Sequence, residues 1–175
     1  MRIKLKVASI ILLLSLGACK NTENKEEVAT KDNFSIIIEG VFTKNDKLQI
    51  FYLVDGKDWS DESSISQAIY GSNEMQKIEL DLPKEIIPKN LRVDLGFNPT
   101  QSNVTIKNIS IKYKKEIIDG DFGNFTDYFF PNQFVSWDPN YFGYKLSVVD
   151  GNYDPFFMGN DLLIDSLKSA TEIKE

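Results

Sequence analysis

The chain has 175 residues, 42% of them hydrophobic, a formal net charge of −6 at pH 7, no histidine and one cysteine. An acidic chain with scattered lysines and no basic stripe is a poor candidate for binding nucleic acid or an anionic membrane surface. Without histidine there is no imidazole for a catalytic triad, a zinc site or a general base near neutral pH, which lowers the expectation of an enzyme.

The first eighteen residues have the pattern of a secretory signal. Arg2, Lys4 and Lys6 form a basic start without acids, and residues 7–16 (VASIILLLSL) are almost wholly apolar. An apolar run of about ten residues is too short for a bilayer core, which needs about 20. We therefore predict that residues 1–18 are a cleaved signal peptide.

The tetrapeptide Leu16-Gly17-Ala18-Cys19 follows the apolar segment directly and contains the single cysteine. It resembles the lipobox of bacterial lipoproteins. The resemblance implies that the Cys19 thiol is alkylated with diacylglycerol, that the signal is cut before it, and that the new amino group is acylated, for example with palmitate. Because three acyl chains exceed the two signals that stable anchoring requires, we expect a protein held on a bacterial membrane. An ordinary secretory signal with an incidental cysteine is the alternative.

The segment after the lipobox is polar. Cleavage before Cys19 removes three basic residues and lowers the net charge to about −9. Residues 19–32 then form a lipidated cysteine with an acidic tail in which Val28 is the one sizeable apolar side chain, which predicts a flexible tether. The Glu26-Glu27 pair resembles the surface-export signals of some Bacteroidota lipoproteins, and a plain polar linker is the alternative. We predict a place in the cell envelope, on the outer membrane, facing the periplasm or the cell surface.

Residues 33–170 show short apolar runs with a period of two, separated by turn residues, which is the pattern of β-strands in one domain. The runs are FSIII (34–38), KLQIFYLV (47–54), ISQAIY (65–70), KIELDLP (77–83), LRVDLGF (91–97), NVTIKNISIKYKK (103–115) and YKLSVV (144–149). In LRVDLGF the alternation predicts that Leu91 and Val93 face the core, while Arg92 and Asp94 face water.

The run NVTIKNISIKYKK changes its parity part-way. Val104 and Ile106 share one parity, whereas Ile109 and Ile111 share the other. A continuous strand cannot place both sets on one face of a sheet, so we predict a β-bulge or bend near Lys107-Asn108.

The last element is helical by its pattern. Residues 160–170 (NDLLIDSLKSA) have apolar side chains at spacings that share one helix face, and Asn160 or Asp161 could cap the helix. Residues 171–175 are predicted to be a tail. Many short strands with one short C-terminal helix predict an all-β fold, an antiparallel, jelly-roll-like β-sandwich.

Several phrases appear in an order familiar from one group of proteins. They are IELDLP (78–83), LRVD (91–94), VTIKNI (104–109) and Asp154-Pro155-Phe156. Together they resemble the carbohydrate-binding-like jelly-roll domains of bacterial envelope proteins, although Leu95-Gly96 stands where that pattern has a proline. The resemblance implies a sandwich that binds or scaffolds, without naming the ligand.

Aromatic residues are concentrated late in the chain, where 13 of the 21 lie between residues 122 and 157. Exposed tryptophan and tyrosine rings flanked by polar side chains are typical platforms for the apolar faces of sugars. Trp137 and Tyr141, which bracket Asp138 and Asn140, fit that description, and Trp59 in a loop of acids and serines is a further candidate. The alternative is that these rings fill the core or hold a connection against the sheet, which we expect for most of the phenylalanines.

The stretch DGNYDPFFMGND begins like a calcium loop, because Asp150, Asn152 and Asp154 occupy alternate positions. However, Pro155 stands where an EF-hand needs glycine, and Asp161 replaces the bidentate glutamate. An EF-hand is therefore excluded, and turn and helix-capping roles are favoured over a calcium ion of another geometry. We expect no metal and no cofactor.

Catalysis without histidine would have to use carboxylates. Glycoside hydrolysis needs two carboxyl groups about 5 to 9 Å apart, and Asp119 with Asp121 or Asp55 with Asp58 are the available pairs. Both pairs stand beside glycine in apparent turns, where aspartate is common for backbone reasons.

We therefore expect a non-catalytic sandwich that binds a glycan or another envelope ligand through Trp59, Trp137 and Tyr141. A first alternative is an accessory subunit that docks on another envelope protein, because KLQIFYLV is apolar on both parities through Phe51 and Leu53. A second alternative is a carboxylate-dependent glycoside hydrolase.

Overall fold

A computed structural model describes residues 31–172. The predicted signal peptide, Cys19, most of the predicted tether and the end of the predicted tail lie outside this range. The described chain folds into two antiparallel β-sheets followed by a helix, which confirms the predicted all-β sandwich with one short C-terminal helix. Within residues 31–172 no helix has the length and apolar character needed to cross a membrane.

Between residues 31 and 172 the sandwich is built from eleven strands and two α-helices. The strands are β1 (Ser35–Phe42), β2 (Asp46–Leu53), β3 (Ser64–Ile69), β4 (Gln76–Asp81), β5 (Asn90–Asp94), β6 (Asn103–Tyr113), β7 (Glu116–Ile118), β8 (Phe129–Pro131), β9 (Val135–Asp138), β10 (Gly143–Leu146) and β11 (Phe156–Gly159). The helices are α1 (Phe125–Tyr128), a single turn, and α2 (Asp161–Glu172), and short 3₁₀ turns lie at Asp61–Ser63 and Asp121–Gly123. All seven predicted runs contain a strand, whereas β7, β8, β9, β11 and α1 have no predicted counterpart.

The strands are divided between two sheets, which we call sheet A and sheet B. Sheet A has the strand order β4-β1-β6-β10-β9, with β7 also paired to β6, and sheet B has the order β3-β2-β5-β11-β8. Every pairing is antiparallel. The chain crosses repeatedly from one sheet to the other, so side chains far apart in sequence become neighbours on each sheet face.

The core lies between the sheets and consists of the alternate, inward-facing side chains of the strands. Ile36 and Ile38 of β1, Leu48 and Ile50 of β2, and Val93 of β5 are all 0% exposed. Full burial of such a side chain stabilises the fold by about 1.5–3 kcal/mol. The period-two pattern of the sequence thus identifies the core face of these strands.

Of the eight phenylalanines between residues 122 and 157, four are buried in the core, fewer than the majority expected from the sequence. Phe125 and Phe157 pack edge-on around Tyr144, with ring centroids 6.2 and 5.0 Å from the tyrosine ring. Phe129 and Phe134 are also buried. Phe156 is only partly buried, and the remaining three are exposed on turns and on an edge strand: Phe122, Phe130 and Phe142.

The predicted bulge in β6 is confirmed. In the pairing of β1 with β6, Glu39 lies opposite Asn108 and the next residue, Gly40, lies opposite Ile106, so Lys107 is the extra residue. The extra residue shifts the parity of the strand. Apolar side chains on both sides of the bulge are therefore buried against the same core.

Helix α2 begins as the sequence indicates. The Asn160 side-chain oxygen accepts a hydrogen bond from the Leu163 N–H at 3.1 Å, so Asn160 rather than Asp161 is the capping residue. Leu163 and Leu167 are buried against the sandwich. The helix continues to Glu172, two residues beyond its predicted end.

Candidate functional site

An open groove lies on the outer face of sheet B. Strand pairing places Phe51 of β2 opposite Arg92 of β5, and Gln49 opposite Asp94, on the face that points away from the core. The loop between β2 and β3, the turn after β5 and the chain before β11 complete the groove. We call it the sheet-B groove; it has a volume of about 440 Å³ and is lined by Gln49, Phe51, Trp59, Ser60, Asp61, Arg92, Asp94, Phe97 and Asp154.

Arg92 organises the floor of the sheet-B groove. Its Nε and Nη2 donate to the two carboxylate oxygens of Asp94 at 2.6 and 2.9 Å, and Nη2 also donates to Asp154 Oδ1 at 2.7 Å. The guanidinium carbon lies 5.1 Å from the centre of the Phe51 ring and 3.8 Å from that of the Phe156 ring. Two-point pairing with a carboxylate and contact with aromatic faces are geometries specific to arginine.

Asp94 does not face water as the alternation predicted, since it is only 4% exposed. It does point outward from the sandwich, but Arg92 on the same strand and Phe156 on the neighbouring strand cover it. Burial raises the pKa of the Asp94 carboxyl, and the charge of Asp154 adds to that rise, while the hydrogen bonds and charge of Arg92 oppose it. Asp94 therefore occupies an outward-facing position on β5 but is buried in an ion pair with Arg92.

Two partly exposed aromatic rings border the sheet-B groove. Trp59 is 37% exposed and Phe97 is 52% exposed. The backbone that carries Phe97 is held by Asp46, whose carboxylate accepts from the Phe97 and Asn98 N–H groups at 2.8 and 3.0 Å. The Lys47 ammonium lies over the Phe97 ring, 4.6 Å from its centre.

The loop that carries Trp59 is tied to the sheet by polar contacts. Gln49 Nε2 donates to Ser64 Oγ at 2.8 Å, and that hydroxyl donates to the backbone oxygen of Asp61 at 2.7 Å. Asp61 begins the 3₁₀ turn that follows Trp59 and Ser60. These bonds fix the loop beside the groove floor.

The three predicted platform residues do not share one site. Trp59 lines the sheet-B groove, whereas Trp137 lies on β9 and Tyr141 in the turn between β9 and β10, both in sheet A. Trp137 is 55% exposed and packs edge-on against Tyr144, with 5.3 Å between ring centroids. Neither Trp137 nor Tyr141 lines the groove.

Three of the four aspartates in the acidic pairs named from the sequence have structural partners. Asp119 accepts the backbone N–H of Asp121 at 3.0 Å, a turn contact. Asp121 lies 3.7 Å from Lys107, and Asp55 lies 3.0 Å from Lys89. Each contact is of the kind that aspartate makes in turns and on surfaces.

The calcium-like stretch is divided between two roles. Asp154 pairs with Arg92 in the sheet-B groove, and Asp161 is the first residue of α2. In the range 31–172 no group of three or more acidic, histidine or cysteine residues is arranged to hold a metal ion.

Sequence reasoning missed Gln49, Arg92, Asp94 and Phe97 as site residues. One signal was available, because Arg92 is the only arginine after the predicted signal peptide and stands two residues from Asp94 in a strand. Residues at that spacing lie on the same face of a sheet. Comparison with known proteins adds no further site residue: no family model, no curated protein and no solved structure matches this chain.

Proposed function

We propose that this chain is a lipid-anchored bacterial envelope protein whose β-sandwich binds a glycan, without catalysis, in the sheet-B groove. The anchor part of the proposal rests on the lipobox-like sequence ending in Cys19. The glycan part rests on the groove, where Trp59 and Phe97 border a floor of hydrogen-bonding side chains.

The side chains of the groove can contact both the apolar faces and the hydroxyl groups of a sugar. Sugar rings present apolar C–H faces, which pack on aromatic rings, and hydroxyl groups, which pair with carboxylates and amides. Trp59 and Phe97 supply the rings, while Asp61 and Asp154 supply carboxylates at the groove surface. A volume of about 440 Å³ lies within the usual range for small-molecule sites, about 300 to 1,000 Å³.

Binding is favoured over hydrolysis because the two central carboxylates are held by one guanidinium. A glycosidase needs one carboxyl group free to donate a proton and another free to act as nucleophile or base. Asp94 uses both of its oxygens on Arg92, and Asp154 uses one. This arrangement suits a rigid recognition surface better than acid–base chemistry.

The point at which the predicted tether would join the described chain also suits a binding role. Lys31, where the described chain begins, donates to Glu79 at 2.6 Å and to Asp81 at 2.9 Å on β4, at the edge of sheet A. The groove lies on the other sheet. An anchored domain would therefore have its attachment point and its groove on different sheets, with at most about 40 Å of extended chain between Cys19 and Lys31.

The test is a calorimetric titration of the full chain, in a detergent without a sugar headgroup, after a glycan array has identified a ligand. Trp59→Ala is expected to weaken binding about tenfold, the loss of one aromatic contact. Trp137→Ala is the matched control, because it removes a more exposed indole that lies in sheet A, outside the groove. Unchanged affinity in Trp59→Ala, or an equal loss in both variants, would contradict the proposal.

A protein-docking role is the second candidate, and one observation favours it. A second groove, of about 420 Å³, lies between β7, α1 and α2, and Ile117 and Leu162 on its walls are 57% and 49% exposed. Of the two β2 side chains first suspected of docking, Phe51 and Leu53, Phe51 lies against Arg92. Pull-down from solubilised membranes separates the two roles, since a binder of free glycan is recovered without a stoichiometric protein partner.

A further inference from the structure

We infer that the sheet-B groove prefers glycans that carry free amino groups over matched neutral glycans, and rejects glycans that carry carboxylates. This inference rests on the proposed function and specifies its substrate class. It is carried by the charges of the groove, by the pairing of Arg92, and by the aromatic rings at the rim.

The charged side chains that line the groove are predominantly acidic. They are Asp61, Asp94 and Asp154, against the single guanidinium of Arg92. Lys47 lies over the Phe97 ring at the rim and offsets part of this charge. The groove is still negative, so it attracts a cation and repels a ligand carboxylate.

Arg92, the one cation in the groove lining, is already paired with two of the acidic side chains there. It makes two hydrogen bonds to Asp94 and one to Asp154, and its faces contact Phe51 and Phe156. An anionic ligand on a remaining N–H of the guanidinium would lie beside these two carboxylates, which would repel it. An anionic ligand that took over a hydrogen bond from Asp94 or Asp154 would leave a buried or partly buried charge without its partner. Such an exchange opposes binding of an acidic sugar.

The ligand-facing groups, by contrast, suit an ammonium. Asp154 uses Oδ1 on Arg92 and its side chain is 51% exposed, so an acceptor oxygen faces the groove. The rings of Trp59 and Phe97 offer negative faces, which attract cations. Phe97 already accommodates the ammonium of Lys47 on its ring, and a sugar ammonium beside Trp59 would meet the same chemistry together with the Asp154 carboxylate.

The experiment titrates the full chain with three hexasaccharides of matched length, made of glucosamine, N-acetylglucosamine or galacturonic acid. At an ionic strength of about 0.01 M, we expect the glucosamine hexamer to bind about tenfold more tightly than the N-acetylglucosamine hexamer. The ratio should approach one at about 1 M salt, where charges are screened within about 3 Å. The galacturonic acid hexamer should bind most weakly.

Variants assign the preference to the groove. Asp154→Asn and Asp61→Asn should each lower the ratio of glucosamine to N-acetylglucosamine affinity, while Asp165→Asn on α2 removes an equal charge outside the groove and should leave the ratio unchanged. Trp59→Ala should weaken both ligands. These results would separate the groove from a general attraction of amines to an acidic protein.

Three outcomes are decisive against the inference. If the neutral and amino hexamers bind equally, or the acidic hexamer binds as tightly as the neutral one, the charge argument is wrong while glycan binding stands. If Asp165→Asn lowers the ratio as much as Asp154→Asn does, the preference belongs to the whole protein and not to the groove. If none of the three hexamers binds, the inference fails together with the proposed glycan function of the groove.

Discussion

Replacing Arg92 with methionine tests the account of the sheet-B groove most directly. Methionine keeps an unbranched apolar stem that can remain between Phe51 and Phe156, but it removes the guanidinium. Asp94, whose side chain is 6% exposed, then keeps its carboxylate without the two hydrogen bonds of 2.6 and 2.9 Å. The perturbation is therefore one unpaired, buried charge.

The expected cost follows from that burial. Removing one partner of a buried ion pair typically costs 3–5 kcal/mol. The Arg92 side chain is 24% exposed, so water can reach this pair, and we place Arg92→Met at the lower end, about 3 kcal/mol at pH 7.

The stability that Arg92→Met loses should also depend on pH. Burial already raises the pKa of Asp94 above its ordinary value of 3.8, and Arg92 opposes that rise, so the variant raises the folded-state pKa further. An acid whose folded pKa lies above its unfolded pKa lowers stability when it is ionised, and this cost disappears as the pH falls through the folded pKa. The free energy of unfolding of Arg92→Met should therefore lie closer to that of the parent protein at about pH 4.5 than at pH 7.

The assay is urea unfolding at both pH values, followed by tryptophan fluorescence. Lys89→Met is the control, because Lys89 pairs at 3.0 Å with Asp55, whose side chain is 91% exposed, and such surface pairs contribute about 0–1 kcal/mol. A free energy of unfolding for Arg92→Met within about 0.5 kcal/mol of the parent at pH 7 would refute the buried-pair reasoning. So would an equal loss at both pH values.

Three further predictions concern the anchor, the helix and the edge of sheet A. Cys19→Ala should move the protein from the membrane fraction to the soluble fraction and abolish incorporation of labelled palmitate, because it removes the thiol that we propose to carry diacylglycerol. Asn160→Ala should lower the free energy of unfolding by about 1 kcal/mol in urea titrations, since the Leu163 N–H loses its cap. Ser35→Ala should cost about 1 kcal/mol at pH 7, because Ser35 donates to Asp81. Burial pushes the pKa of Asp81 up, but hydrogen bonds from Ser35 and a neighbouring lysine leave it lowered, so this contribution is present above pH 3.8 and should fade as the pH drops below that value.

Each of these predictions has a control and a contrary result. Cys19→Ala protein that stays with membranes would show that lipid on this thiol is not the anchor. Asn160→Asp keeps a capping oxygen and should retain most of the stability that Asn160→Ala loses; equal losses would argue against capping. Ser66→Ala removes an exposed hydroxyl from β3 and should change little at either pH. A Ser35→Ala deficit that is constant between pH 7 and about pH 2.5 would contradict the role of ionised Asp81.

The alternation of apolar and polar residues in the sequence predicted much of the fold. The alternation in LRVDLGF correctly assigned Leu91 and Val93 to the core, because successive side chains in a strand point to opposite faces. The parity change in β6 located the bulge at Lys107 for the same reason. The short strands β8, β9 and β11, of three to four residues each, escaped prediction because a period of two cannot be recognised over so few positions.

The site depended on contacts between distant parts of the chain. Arg92 and Asp154 are 62 positions apart, and they meet because β5 and β11 pair in sheet B. Trp59 and Trp137 look alike in sequence, yet strand order places one beside a groove and the other on the edge of the opposite sheet. The buried state of Asp94 had the same origin, because its cover comes partly from a strand that follows it by about sixty residues.

The sequence alone determined which faces of the longer strands are apolar, where β6 must bulge and that a helix follows Asn160, and it is the basis of the proposal that Cys19 is lipidated. Only the tertiary structure decided which outward-facing residues form a groove, since strand order between sheets is set by packing across the whole core. Period and spacing are local properties that follow from backbone geometry, whereas a binding surface is assembled from side chains that the sequence keeps apart.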